Sequence, residues 1–315
     1  MDVLTAVHGD RIAAHRNQDE FFWLDLESPE HAELDALQSA LDLHPIALED
    51  TREFGQRPKV DAYQEYVLVV FYTALASDDP DRVVHPAEVH VYVSGGWIVT
   101  VHREALPLLA RLHGELEPAG THEEDYLVYR ILDTLTDAWY PVINAIESHV
   151  DGLEAEVFAR ARREQLSRIY RLRQEVREHH HLVTDQRDHF EPAAEAIRNL
   201  AGLTRGAKEY LRDVGDHLMQ ISGEFHRQYE DLASLAQTYF NANADRLNQT
   251  ATRLTVVGTI FVTWTLVTGF FGQNFGWLVR HVESGTDFLI FGIGGFVLPT
   301  VALGTLFWVK RRDWF

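Results

Sequence analysis

Two long stretches without a charged side chain constrain this sequence more than any other feature. Residues 254–271 and residues 288–309 contain 18 and 22 consecutive uncharged residues, most of them apolar. A helix needs roughly 20 such residues to cross the hydrocarbon core of a membrane. A buried helical hairpin is the alternative, but the length of the second stretch and the basic Lys310-Arg311-Arg312 after it favour two membrane spans.

The charges beside the two stretches predict their orientation. Arg253 precedes the first stretch and Lys310-Arg311-Arg312 follows the second, whereas the connecting loop carries Arg280 together with Glu283 and Asp287. Basic residues are enriched on the cytoplasmic side of membrane spans. Both termini are therefore expected to face the cytoplasm. The first ten residues lack the pattern of a cleaved signal peptide.

Charge and cysteine content limit the function of the remaining chain. The formal net charge of −20 argues against nucleic acid as a partner, because phosphate binding requires clustered Lys and Arg. An acidic protein attracts cations instead. Cysteine is absent, which excludes disulfides and thiolate metal sites and fits a reducing cytoplasm, while 17 histidines remain as candidate ligands.

The first third of the chain combines strand and helix patterns. Residues 66–75 are rich in β-branched and aromatic side chains. Residues 88–94 and residues 97–102 predict two strands that Gly95-Gly96 joins in a tight hairpin. We expect a small α/β domain that ends near Pro118.

After Pro118 the pattern is helical almost throughout. Pro141 is expected to interrupt the first helical stretch. A second stretch begins after Pro192 and shows no strong stop signal between Lys208 and Phe271. A helix of about 60 residues spans roughly 90 Å at 1.5 Å per residue. Such a helix is long enough to leave a globular domain and enter a membrane.

One face of the first apolar stretch differs from a surface that contacts lipid. Small and polar residues recur there at alternating spacings of three and four, which is a heptad pattern. Small residues allow helices to approach closely, and polar residues require protein or water. Pore lining and simple helix dimerisation both fit the pattern, and the number of polar residues favours the pore. The face consists of Asn248, Ala251, Thr255, Gly258, Val262, Thr265, Gly269 and Gly272.

The first apolar stretch ends in Gly269-Phe270-Phe271-Gly272-Gln273-Asn274-Phe275. Carbonyl groups beyond a helix C-terminus have no partner within the helix, and glycine permits sharp backbone geometry. Together with the Gln273 and Asn274 amides, these carbonyls form an oxygen-rich ring if several subunits converge. Oxygen ligands suit hard cations such as Mg²⁺.

Motifs of catalysis are missing from the sequence. It contains no Walker motif and no pattern of a catalytic nucleophile, which argues against an enzyme. Neither apolar stretch contains an acidic residue, which argues against a proton relay buried in the membrane. We interpret His179-His180-His181 as a hydrated helix face, because adjacent residues on a helix point in different directions. His281 would suit zinc, although a solvated side chain is the ordinary role of a single loop histidine.

Four segments of the chain together carry a family resemblance: residues 248–274, residues 310–315, the stretch from Leu48-Glu49-Asp50 to Gln56-Arg57-Pro58-Lys59-Val60, and Arg212-Asp213-Val214-Gly215-Asp216-His217. They resemble the CorA family of divalent metal ion (Mg²⁺/Co²⁺) transporters. The resemblance implies an α+β membrane protein with an N-terminal α/β cytoplasmic domain, long stalk helices and two C-terminal transmembrane helices. It also implies a funnel-shaped homopentamer in the plasma (inner cell) membrane, with no organic cofactor.

The resemblance and the patterns above together predict six segments. These are an α/β cytoplasmic domain over 1–118, a helical stalk over 119–253, a pore-lining span over 254–271, an external signature loop over 272–287, a second span over 288–309 and a basic cytoplasmic tail over 310–315.

The resemblance also assigns roles to individual residues of the pore. Gly272 and Asn274 match the Gly and Asn of the family's Gly-Met-Asn signature, and Asn248 matches a pore asparagine at the cytoplasmic side. Gln273 stands where the signature has Met, and relatives that carry zinc also vary this position. The preference for Mg²⁺ is therefore open.

A regulatory metal site is implied in the same way. Asp213 matches an acidic residue of that site, with Asp78 or Asp79 of the next subunit as its partner. Divalent cations bound there, between neighbouring cytoplasmic domains, are implied to hold the pore closed when internal metal is plentiful.

Three functions remain as hypotheses. The first is uptake of Mg²⁺, with Co²⁺ or Ni²⁺, driven by the membrane potential, from which a divalent ion gains roughly 4.6 kcal/mol at about 100 mV. The second is a proton-coupled zinc transporter of the same fold. The third is a membrane-anchored cytoplasmic sensor, against which the polar face of the first span argues.

Overall fold

Six β-strands form one mixed sheet in the computed structural model, which describes residues 2–77, 82–116, 124–203, 207–273 and 276–314. The strands are β1 (Asp2–Leu4), β2 (Phe22–Glu27), β3 (Lys59–Ala62), β4 (Tyr66–Ala76), β5 (Val84–Ser94) and β6 (Trp97–His102). In the order β1-β2-β6-β5-β4-β3, the pairs β1·β2 and β2·β6 are parallel and the other neighbours are antiparallel. The predicted hairpin is confirmed, with Val93 opposite Ile98 across Gly95-Gly96.

Helices cover both faces of this sheet, because successive strand residues point to opposite sides. On one side Leu24 and Tyr92 pack against α1 (Gly9–Gln18), α2 (His31–Leu41) and α3 (Pro45–Glu53). On the other side Trp23 and Val91 belong to a core shared with α4 (Pro107–Leu116), α5 (Glu124–Asp137), α7 (Arg163–Arg198) and the first part of α8 (Ala207–Phe271). Between α5 and α7 lies α6 (Trp139–Ala159).

The two prolines of the helical region behave differently. The interruption expected at Pro141 occurs just before it, where α5 ends at Asp137 and α6 begins at Trp139. The expectation of a helix that begins after Pro192 is wrong, because α7 continues through this residue. Pro192 faces solvent while Ala193 and Ala194 are buried in the core, and this burial stabilises the helix despite the missing hydrogen bond. As expected, α8 continues without a stop to Phe271.

The turn of the β5–β6 hairpin approaches the backbone beyond α7. A Cβ atom on Gly95 would overlap the carbonyl oxygen of Ala201, and Gly202 has a positive φ of +102°. Only glycine fits both conditions without distortion. The two backbone segments are therefore in direct contact.

A buried carboxylate connects α4 to the sheet. Asp25 on β2 accepts hydrogen bonds from Thr100 and from His102 Nε2, the latter at 3.1 Å, and its second oxygen lies 3.2 Å from His113 Nε2 on α4. Burial by itself would raise the pKa of Asp25, but the contacts with His102, His113 and Thr100 outweigh it and lower the pKa to about 2. Burial would lower the pKa of His102, and Asp25 reverses this effect and raises it.

The second of the chain's two compact units, Thr238–Phe315, contains the apolar helices. It comprises the last part of α8, then α9 (Gly276–His281), α10 (Gly285–Asp287), a π-helical stretch (Phe288–Ile293) and α11 (Gly294–Trp314). Trp264 Nε1 on α8 donates to Thr300 Oγ1 on α11 at 2.8 Å. The segments Lys208–Phe270 and Gly285–Val309 each contain a stretch long and apolar enough to cross a membrane. The predicted class is confirmed in its α/β domain, long helices and two C-terminal apolar helices.

We predict that Asp25→Ala destabilises the first unit by about 3–5 kcal/mol, because it leaves buried partners of the carboxylate uncompensated. The ionised Asp25 carboxylate contributes to the free energy of unfolding above the ordinary Asp pKa of 3.8, and this contribution is lost as the pH falls towards 2. Protonated His102 contributes fully to the free energy of unfolding below the ordinary His pKa of 6.5, and this contribution is lost as the pH rises through the raised pKa of His102. The unfolding temperatures of Asp25→Ala and of the unsubstituted protein should be measured at about pH 5 and at about pH 8, and the difference between the two proteins should be larger at the lower pH.

The matched control for this experiment is Glu49→Ala, which removes an exposed carboxylate from α3. It should leave the unfolding temperature nearly unchanged at both pH values. Equal unfolding temperatures for Asp25→Ala and the unsubstituted protein would contradict the assigned role of Asp25.

Candidate metal centre and pore

Metal-ligating side chains meet between α5 and α8. One ligand atom each from Asp133 on α5 and from Asp213 and His217 on α8 all lie within 4.8 Å of one another. His217 Nδ1 is 3.2 Å from Asp133 Oδ1 and 3.2 Å from Asp137 Oδ1. Residues four apart share one helix face, which explains both the Asp133–Asp137 and the Asp213–His217 pairs. We call these four residues the α5–α8 cluster.

Burial of Asp133, together with repulsion between carboxylates, makes this cluster unfavourable without a cation. Burial of Asp133 and the nearby charges of Asp137 and Asp213 raise the pKa of Asp133, although His217 acts in the opposite direction. The ionised carboxylate is therefore less stable here than in water. A divalent cation would reverse the balance by supplying positive charge at the centre of the cluster.

Neighbouring side chains orient the cluster but neutralise it only weakly. Tyr129 donates a hydrogen bond to Asp213 Oδ2 at 2.9 Å. The Arg130 guanidinium lies 3.9 Å from Asp133 Oδ2, beyond hydrogen-bond distance, and is 3.2 Å from Glu115. The Arg130 guanidinium is thus shared between Asp133 and Glu115.

The donor atoms of the cluster fit a divalent cation. Asp133 Oδ1 and His217 Nδ1 are buried and make no hydrogen bond within the described part of the chain, although they lie 3.2 Å apart. Neighbouring ligands of an octahedral ion with bonds of about 2.1 Å are separated by about 3 Å. Carboxylate oxygens suit Mg²⁺, and an imidazole nitrogen suits Co²⁺, Ni²⁺ or Zn²⁺.

The structure places Asp213, singled out from the sequence, in this cluster, whereas Asp78 and Asp79 lie outside the described residues. Sequence reasoning did not assign Asp133 or His217 as ligands. The signal in the sequence was a pair of potential ligands spaced four residues apart on each helix, Asp133 with Asp137 on α5 and Asp213 with His217 on α8. That spacing is common on solvated helices, so it identifies a site only once the helices are known to pack together.

The predicted small and polar face of α8 is exposed in the isolated chain, and a different face of the helix contacts α11. Besides its hydrogen bond to Thr300, the Trp264 ring lies 6.2 Å from that of Phe296 on α11, between ring centroids. Ile260 and Val267, four residues before and three residues after Trp264 on α8, are half-buried. The exposed positions are Asn248, Ala251, Thr255, Gly258, Val262, Thr265 and Gly269.

The threonine hydroxyls of this face are bonded to their own helix. Thr255 Oγ1 donates to Ala251 O at 2.9 Å, and Thr265 Oγ1 donates to Phe261 O at 2.8 Å. Each hydroxyl oxygen retains its capacity to accept hydrogen bonds. The face is therefore weakly polar and carries no charge.

The end of α8 leaves little space for a side chain at position 272. Gly272 N donates to Thr268 O at 2.8 Å, and a Cβ on Gly272 would lie only 3.0 Å from that oxygen. Gln273 is exposed beyond it. Asn274, the third residue of the predicted selectivity loop, lies outside the described residues.

His281 has a local structural partner in α9. Its ring is tilted by 30° against that of Trp277 with 4.3 Å between the ring centroids, and its Nδ1 lies 2.9 Å from Trp277 O. This arrangement supports the interpretation of His281 as an ordinary surface side chain.

Residues 18–311 match the sequence model of a family described as CorA-like Mg²⁺ transporter protein. The chain belongs to this family. The resemblance carried by the four sequence segments is thereby confirmed. The chain is a membrane transporter of divalent metal cations and not an enzyme, as predicted.

Similar proteins extend over most of the chain. It is 25% identical to the cobalt/magnesium transport protein CorA of Thermotoga maritima over 75% of this chain and 68% of that protein. It is 24% identical to the zinc transport protein ZntB of Yersinia pseudotuberculosis over 99% of this chain and 92% of that protein. The CorA magnesium transporter of Methanocaldococcus jannaschii has the same fold, with a TM-score of 0.74 at 22% identity over 93% of this chain and 91% of that chain.

We predict opposite effects of Asp133→Asn with and without metal. Without metal the variant should unfold at a slightly higher temperature than the unsubstituted protein, since a carboxyl group with a raised pKa destabilises the fold when it ionises. With Mg²⁺ or Co²⁺ at about 100 times the dissociation constant, the unsubstituted protein should gain about 2.7 kcal/mol. Asp133→Asn and Asp213→Asn should lose most of this gain.

Asp151→Asn is the matched control, because it removes an exposed carboxylate from α6. It should retain the full stabilisation by metal. An equal gain in all three variants, measured by thermal unfolding, would show that the ions bind elsewhere.

Proposed function

We propose that this chain forms a homopentameric channel that carries Mg²⁺, together with Co²⁺ or Ni²⁺, into the cell and closes when divalent metal accumulates in the cytoplasm. The observation that carries this proposal is the uncharged polar face of α8, which stays exposed while other residues of the helix contact α11. Such a face becomes stable in a membrane only against protein or water. Five copies arranged around one axis would supply both.

The proposed pore is suited to a hydrated ion. Asn248, Thr255 and Thr265 offer neutral oxygens that bond to coordinated water, and Gly258 and Gly269 have open space at the Cβ position. Mg²⁺ releases its water reluctantly, so passage with the water shell retained avoids a large dehydration cost. Neutral donors also avoid trapping the ion, which conduction requires.

The proposed entrance is the loop Gly272-Gln273-Asn274 at the outer end of α8. The amide side chains of Gln273 and Asn274 would present oxygens to water on the ion, and Gly272 allows the backbone to turn directly after the helix. This assignment makes 254–271 the pore-lining span, 272–287 the external loop and 288–309 the second span in the plasma membrane. The α/β domain over 1–118, the stalk over 119–253 and the tail over 310–315 are then cytoplasmic.

The proposed closing signal acts at the α5–α8 cluster. A divalent cation there would remove the repulsion between Asp133 and Asp213, and Asp78 or Asp79 of a neighbouring subunit would complete the ligand set. Binding between subunits then favours the closed arrangement by the difference in affinity between the two states. Both Asp213 and the pore face belong to α8, so one helix carries the signal and the pore.

A zinc transporter is the second candidate. His217 supplies an imidazole nitrogen to the α5–α8 cluster, a ligand that zinc prefers over magnesium. The similarity to ZntB covers nearly the whole chain. Gln273 in place of the signature Met is compatible with either ion.

We predict that purified protein in liposomes takes up Mg²⁺ in response to voltage alone and that Asn274→Ala lowers the flux at least about tenfold, equivalent to about 1.4 kcal/mol of barrier. Flux of Mg²⁺, Co²⁺ and Zn²⁺ should be compared with and without a pH gradient. Glu283→Gln, in the same loop but outside the signature, is the control and should keep its flux.

The possible results separate the functions. Zinc uptake that increases with the proton gradient would favour the zinc transporter. The absence of flux for every ion would favour the membrane-anchored sensor. A Mg²⁺ flux that is the same in Asn274→Ala would contradict the proposed entrance.

A further inference from the structure

The packing of α7 against α8 brings together a second set of metal-ligating groups. The two helices run antiparallel, and two contacts fix their register. Thr184 Oγ1 on α7 lies 3.0 Å from Ser222 Oγ on α8, and the Arg173 guanidinium lies 4.3 Å above the ring of Tyr229. Side chains located between these two contacts are therefore held opposite each other.

His180 and His226 occupy this position. Their ring centroids are 5.4 Å apart, with one imidazole on each helix. The three adjacent histidines of α7 diverge, as expected, but the interpretation of all three as hydrated is wrong for His179. Its ring is buried, with 5.8 Å between its centroid and that of Trp139 on α6, whereas His180 is half-buried and His181 is exposed. The ligand partner of His180 comes from α8, which the sequence of α7 alone does not reveal.

Glu230 already lies at ligand distance from His226. The separation between His226 Nε2 and Glu230 Oε1 is 3.5 Å. Neighbouring ligands of a tetrahedral ion with bonds of about 2.0–2.1 Å are separated by about 3.4 Å. A four-residue spacing on one helix face is also a geometry by which helices present two ligands to zinc.

We propose that His180, His226 and Glu230 form a binding site for a borderline transition-metal cation such as Zn²⁺, Co²⁺ or Ni²⁺. Binding would require the His180 side chain to rotate towards His226 and Glu230, because among the described residues only Asp133, Asp213 and His217 have three ligand atoms that already lie within 4.8 Å of one another. Two imidazoles and one carboxylate select these ions over Mg²⁺. Bound metal would link α7 to α8, so the chain responds to transition metals separately from Mg²⁺. This inference goes beyond the proposed function and does not depend on ion flux.

The test is a Zn²⁺ titration of the full-length purified protein in excess Mg²⁺, which occupies the α5–α8 cluster but does not compete for imidazole. Calorimetry should detect a Zn²⁺ site that H180Q and H226Q each weaken at least about tenfold, because loss of a ligand costs no less than loss of its supporting contacts. Visible absorption of Co²⁺ provides a second measurement of nitrogen coordination. E230Q, which retains an oxygen but removes the charge, should weaken binding less than H226Q.

The matched control is H189Q, an exposed histidine on α7 whose Nδ1 lies 2.8 Å from Asp185 O. H189Q and D213N should both retain the site. Unchanged Zn²⁺ affinity in H180Q and H226Q, with unfolding temperatures equal to the unsubstituted protein, would overturn the proposal. So would an equal loss in H189Q. Because the readout is binding rather than transport, its failure is distinct from failure of the channel proposal.

Discussion

The helix α8 is continuous over 65 residues, and its first and last parts require different surroundings. Its first part buries Leu211 and Val214 in the core shared with the sheet. Its last part leaves Leu254 and Leu266 exposed in the isolated chain, a surface that is stable only against lipid or protein. The division of the sequence into an acidic first part and an uncharged last part follows from these requirements. Other helices then pack where α8 offers them an apolar face.

The ionisable metal ligands of α8 lie in its first part, outside the apolar stretch. Carboxylates and imidazoles are costly in hydrocarbon, and the span over 254–271 contains neither. Asp213 and His217 instead lie where Asp133 approaches from α5. In the proposed mechanism the ion is therefore sensed by charged ligands and conducted past neutral ones. This separation lets the affinity of the sensor change without trapping ions in the pore.

The elements that the sequence predicted well have strong local patterns. The hairpin around Gly95-Gly96 and the two apolar helices follow from strand alternation and from uncharged length. The break between α6 and α7 has no such pattern, since residues 160–162 contain neither Gly nor Pro. There the turn is stabilised by Gln165, whose side chain accepts from Arg162 N at 2.8 Å and donates to Arg160 O at 3.2 Å. A single glutamine with two such contacts is not recognisable before the turn is known.

The metal ligands were predictable only in part. Asp213 was found through its family segment, but its partner Asp133 lies 80 residues earlier on α5, as the difference between the two residue numbers shows. Only tertiary packing joins them. The same reason explains His180 and His226, which belong to different helices. Periodicity predicts which face a residue occupies, but the identity of the opposing helix is a property of the whole fold.

The contact between Gly95 and the backbone at Ala201 limits where a reporter can be inserted into this protein. Tight hairpin turns at a surface are ordinarily good places to insert a tag, a fluorophore or an epitope. Here the turn is closed by main chain from a segment about a hundred residues away, and Gly202 adopts a conformation that suits glycine. An insertion at Gly95 would therefore separate the hairpin from the end of α7. A reporter that preserves the fold has to be attached elsewhere.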